Sequence, residues 1–89
     1  MVTMTATAEG AEILALQALG WLAADEDRLS RFLALSGLDG ATLREMADSR
    51  DTARAVMDFL LADEALLLDF CEIAQIPPAS FPAYRRRLD

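Results

Sequence analysis

The stretch LAADEDRLSRFLALSGLDGATLREM, Leu22 to Met46, decides the fold. It reads as the end of one helix, an acidic turn, a second amphipathic helix, a Gly-Leu break and a third helix. Asp25 is a natural N-cap, and Glu26 and Asp27 add negative charge to the first turn, where the helix dipole favours it. Leu29, Phe32, Leu33 and Ser36 then recur at helical spacing, while Asp27, Arg28, Ser30, Arg31 and Ala34 make the opposite face. Gly37 ends this helix, because glycine takes the left-handed cap conformation without steric cost. Asp39 caps a short third helix, from Gly40 to about Asp48, with Leu43, Met46 and Ala47 facing inward.

Upstream, Thr7 is the expected cap of a first helix running to about Ala24, with Glu9 and Glu12 in or near its first turn. From Ile13 onward only Gln17 in that helix is strongly polar. A helix apolar nearly all round is either a central post or holds a partner on one side. Residues 1–6 are small and polar without periodicity and are expected to be disordered, which leaves 7–89 as one helical domain.

Downstream, Ser49 caps a fourth helix, about Arg50 to Ala62, whose stripe Ala53, Val56, Met57, Leu60, Leu61 faces the core. Arg54 and Asp58 stand at i,i+4 on it and are expected to pair. Asp63 caps a fifth helix that runs to about Gln75, with Leu67, Phe70, Ile73 and Ala74 as its core stripe. Ile76-Pro77-Pro78 ends it, since the residue before proline is pushed out of helical geometry. A last helix begins at Pro78 or, with Ser80 as cap, at Phe81; Pro82 is tolerable only in a first turn and favours the later start. The fold class is therefore all-α, a compact bundle of five to six short helices.

Residues 16–46 and 54–84 echo each other without a gap at an offset of 38. Leu22 meets Leu60, Asp25 meets Asp63, Trp21 meets Phe59, Phe32 meets Phe70, Leu35 meets Ile73, and Leu43 meets Phe81. Caps fall opposite caps and core positions opposite core positions. Two readings stand: two pseudo-repeated three-helix units, or two helical hairpins that share one capping logic.

The composition narrows the function by exclusion. Fifteen acids face eight arginines, for a net charge of −7, which argues against nucleic-acid phosphates and anionic membranes as partners. The chain has no His, Lys or Asn, so imidazole bases and metal ligands, Schiff-base lysines and phosphate-loop lysines have no counterpart here. No enzyme activity, metal or cofactor is expected. The acidic runs Asp25-Glu26-Asp27 and Asp63-Glu64 lack calcium-loop spacing and read as caps. The one cysteine, Cys71, lies beside a core position with no histidine to activate it and reads as a packed thiol in a reducing compartment. Trp21 reads as core. The longest apolar run, Ile13 to Ala24, is short of the roughly 20 residues that span a bilayer, and no secretory leader is visible. The expected location is the cytoplasm.

Two groups are candidates for interaction. The echo places Leu66 and Leu68 where the first unit has Arg28 and Ser30, and Leu68 falls on the Asp69 and Glu72 side of its helix. Such leucines are either covered by the N-terminal segment or last helix, or offered to a partner protein, including a second copy. Arg85, Arg86 and Arg87 either complement the dipole at a helix end or bind an acidic surface.

The run LGWLAADEDRLSRFLALSGLDGATLREMA followed by AVMDFLLADEALLLDFCEIAQIPP resembles the bacterial domain of unknown function 3572 family, over residues 15 to 78. The matching features are L-x-F/W-L-A-x-D, L-x-R-F-L-A-L-x-G-L, L-R-x-x-A and V-L/M-D-F-L-x-x-D-E-x-L-L. That resemblance implies a small all-helical cytoplasmic protein and carries no catalytic residue to transfer. The function these observations favour is a non-catalytic protein–protein interaction domain; the alternatives are an acidic regulator of a basic partner and a binder of small apolar ligands.

Overall fold

A computed structural model describes residues 6–89. Within them run six α-helices and no strand: α1 (Ala8–Ala23), α2 (Glu26–Ser36), α3 (Gly40–Met46), α4 (Arg50–Leu61), α5 (Glu64–Ala74) and α6 (Phe81–Arg86), the last preceded by a 3-10 turn at Pro78–Ser80. The sequence places most boundaries to within a residue or two because the caps are local chemistry. The Thr7 hydroxyl accepts from the Gly10 N–H at 2.9 Å, Asp25 from Asp27 and Arg28, Asp39 from Thr42 at 2.7 Å, Ser49 from Thr52, and Asp63 from Leu66. Ser80 is the exception. It makes no side-chain cap, and its hydroxyl instead donates to the Pro77 carbonyl at 2.7 Å. The chain therefore uses both starts foreseen for the last helix, a 3-10 turn at Pro78 and an α-helix at Phe81.

The expected disorder of residues 1–6 falls, for residues 1–5, outside the described residues, and Ala6 packs against the core.

The core is organised about α1 and α4, which pack most extensively on each other. α2 and α5 each touch both of them, and α6 closes one side against α1 and α4. A Cβ at Gly10 would crowd the α1 cap, 3.0 Å from the Thr7 hydroxyl, while standing at an ordinary 3.5 Å from the Tyr84 ring of α6.

The 38-residue echo is also a structural one. Leu14, Ala15, Ala18, Leu19 and Leu22 of α1 are all buried, and so are Thr52, Ala53, Val56, Met57 and Leu60 of α4, position for position. The two left-handed residues, Gly37 at φ 76° and Gln75 at φ 58°, end α2 and α5 at equivalent places. Most telling are the aromatic contacts. Phe32 of the first unit meets Phe59 of the second at 5.4 Å between centroids, and Trp21 of the first meets Phe70 of the second at 5.6 Å. Exchanging the halves turns one contact into the other, as a local two-fold relation requires.

Three expectations are corrected. Ile73 is 64% exposed, and α5 turns Phe70 and Cys71 to the core with Leu66, Leu67 and Ala74 at its margin. Leu67, Phe70 and Ala74 lie on the core side as expected and Ile73 alone does not, because leucines at Leu66, Leu67 and Leu68 leave the edges of the apolar face of α5 undefined in sequence. Arg54 does not pair with Asp58: it reaches Asp51 and donates to the Leu88 carbonyl at 2.6 Å, while Asp58 is taken by Arg85. α1 is a central post on one face only, since Ile13 and Leu16 remain about half exposed.

Candidate functional site

The arginine triplet does not act as a unit. Arg85 clasps Asp58 of α4 through two bonds, Nε to Oδ1 at 2.7 Å and NH2 to Oδ2 at 3.2 Å, and holds Asp89 at 2.6 Å. These two carboxylates push its pKa further up, so it is a permanent cation spent on docking α6. Arg86 and Arg87 are exposed and make no ion pair among the described residues.

The leucine pair also divides. Leu66 is partly buried against the core and belongs to the fold, whereas Leu68 is 45% exposed. Its place in the echo explains the difference. Arg28, the counterpart of Leu66, lies flat over the Trp21 ring, with its guanidinium carbon 4.0 Å from the centroid. Position 28 thus covers Trp21 with a cation, and position 66 packs a leucine against the core. The Nε of Arg28 is buried without a hydrogen-bond partner among the described residues.

Cys71 is buried and burial pushes its thiol pKa up, the opposite of what a nucleophile needs. Among the described residues no group of three His, Cys, Asp or Glu side chains gathers where it could hold a metal ion. No helix is long and apolar enough to cross a membrane. Asp63 has its carboxyl held below the ordinary carboxylate value, first by the Leu66 N–H and secondarily by Arg31, whose NH2 stands 3.0 Å away.

Sequence reading missed where the exposed apolar surface lies. The large aliphatic side chains most open to solvent are Ile13 and Leu16 on α1, Leu68 and Ile73 on α5, and Leu35 on α2. α1 and α5 pack side by side, and two shallow furrows run between them. One is lined by Ile13, Gln17, Ala74, Ile76 and Tyr84, the other by Gln17, Trp21, Phe70, Ile73 and Ala74, and they share Gln17 and Ala74. Of the exposed aliphatics only Ile13 and Ile73 line these furrows; Leu16 lines, with Ile13, a separate pocket against Asp48, Ser49 and Thr52, and Leu68 stands on another face of α5. Leu35 stands apart, at the lip of a furrow between α2 and α4 that includes Phe32, Ala55 and Phe59.

The family model described as Protein of unknown function (DUF3572) matches residues 8–89, from the first residue of α1 to the end of the chain. The chain belongs to this family. No curated protein and no solved structure matches it. The DUF3572 match takes in all six helices, including α6 and its clasping Arg85, which extends beyond the stretch that carried the sequence resemblance.

Proposed function

We propose that this chain is a non-catalytic protein–protein interaction domain of the cytoplasm and that it binds through the α1–α5 side. The observation that carries the reading is the pair of joined furrows between α1 and α5, with exposed Ile13 on one and exposed Ile73 beside Trp21 on the other. Isolated surface leucines are ordinary, but aliphatics grouped along open furrows mark surfaces that associate. The α5 side of these furrows is acidic, with Asp69 and Glu72 exposed. The absence of His and Lys from the sequence agrees with a role that needs no proton shuttle or amine nucleophile.

The test is capture of partners by a tagged wild-type chain and by Leu68→Ser/Ile73→Ser, at low and high salt. Both residues are exposed, so the double variant is expected to fold and melt as the wild type does, and to lose the captured partner. Capture that survives the double substitution but collapses with salt would instead favour the acidic-regulator reading, in which charge and not the apolar face holds a basic protein. Equal capture by both proteins at both salts would refute both.

A further inference from the structure

We infer that the α2 face of one copy docks head to tail into the α1–α5 furrow of a second copy, a self-association that rests on the interaction-domain reading above. The two-fold echo supplies the geometry. The α1–α5 furrow, about 280 Å³, has Trp21 and Phe70 along its floor and Ile73 at its lip. Its counterpart between α2 and α4, about 350 Å³, has Phe59 and Phe32 in the equivalent places and Leu35 at the lip. Leu35, 75% exposed, is more open to solvent than any other of the large exposed aliphatics among the described residues.

The two faces share one lining pattern and differ in charge. One turn before Leu35 on α2 stands Arg31, and one turn before Ile73 on α5 stands Asp69, with Glu72 adjacent. An α5 face against another α5 face would set four carboxylates together, whereas the α2 face offers Arg31, paired in its own chain with Asp63, beside the furrow that Asp58 lines. Only the unlike pairing brings Arg31 of one copy to Asp69 and Glu72 of the next. Arg31 is able to make that contact. It spends one NH2 on Asp63, its side chain is 57% exposed, and a guanidinium carries further N–H donors. Each copy has one projecting face and one receiving face, so the contact is heterologous and adds copies into a ring or an open chain.

The experiment is sedimentation velocity on the whole chain over a wide concentration range. The wild type is expected to move to heavier species as concentration rises. Leu35→Ser and Ile73→Ser should each be monomeric, since each lacks one half of the contact. Mixed in equal amounts they should form a dimer and no larger species, because one intact projecting face then meets one intact receiving face. Arg31→Asp should weaken association by about tenfold or more, and Arg31→Asp/Asp69→Arg should regain it, which generic apolar stickiness would not. Thermal melts check that each variant is folded. A wild type that stays monomeric to on the order of 1 mM overturns the inference, as does a mixture that fails to dimerise. A monomeric wild type whose captured partner is lost in Leu68→Ser/Ile73→Ser overturns self-docking and leaves the interaction-domain reading standing. Loss of neither self-association nor capture in any of these variants overturns both.

Discussion

Replacing Phe32 and Phe70 by leucine, each with and without its aromatic partner, is the sharpest test of the two-fold packing. Both rings are buried, at 0% and 2% exposure, so the apolar area lost is the same in the two halves. Full truncation of a buried Phe costs about 3–5 kcal/mol, which a domain of this size would barely survive, whereas leucine keeps much of the volume and should cost about 1–2 kcal/mol. For a domain this small that lowers Tm by roughly 5–15 °C. Phe70→Leu should be the costlier, because Phe70 also meets Phe81 edge-on at 6.4 Å, and the place of Phe81 in the first unit is taken by Leu43, which has no ring. The pairwise part comes from two double-mutant cycles, Phe32→Leu with Phe59→Leu, and Phe70→Leu with Trp21→Leu. Centroid separations of 5.4 and 5.6 Å predict coupling of about 0.5–1.5 kcal/mol in both. Loss of the Arg28 stack in Trp21→Leu occurs in the single and the double variant alike and cancels. The assay is urea unfolding followed by far-ultraviolet circular dichroism, analysed as two-state. Coupling in one cycle with less than about 0.3 kcal/mol in the other would refute the equivalence of the halves.

Arg85→Ala, which frees α6 from Asp58, should cost about 1 kcal/mol, while Arg86→Ala and Arg87→Ala stay within about 0.5 kcal/mol; equal effects from all three would mean that the clasp does not hold α6. Asp39 and Asp63 have folded pKa values below their unfolded ones, chiefly because the backbone N–H groups of Thr42 and Leu66 donate to them. The unfolded chain then takes up protons first on acidification, so their stabilisation is complete above the unfolded carboxylate pKa and is lost as pH falls through the lowered folded values. Asp39→Asn/Asp63→Asn keeps an oxygen acceptor at each cap without the titration and should show a shallower fall of Tm towards pH 3, roughly, than the wild type; an unchanged acid limb would place the acid sensitivity elsewhere.

What the sequence determined by itself was everything set within one or two helical turns. Asp25, Asp39, Ser49 and Asp63 cap the helices they were expected to cap, Gly37 takes the left-handed turn, and the stripes of α2 and α4 face inward. A cap is a hydrogen bond between a residue and an N–H two or three positions on, and no tertiary contact is needed to predict it. Tertiary structure decided what depends on rotation about a helix axis and on groups far apart in the chain. α5 offers leucine at three consecutive positions, and only packing against α1 and α4 chose to bury Phe70 and Cys71, leaving Leu68 and Ile73 outside. Asp58 had an arginine four residues before it and took the one twenty-seven residues after it, since the docking of α6 sets Arg85 in a bidentate position against α4. The exposed apolar side of the molecule is of the same kind. Ile13 and Leu16 look like core from sequence, and they stand about half exposed at an open pocket between α1 and the start of α4 that no other helix covers.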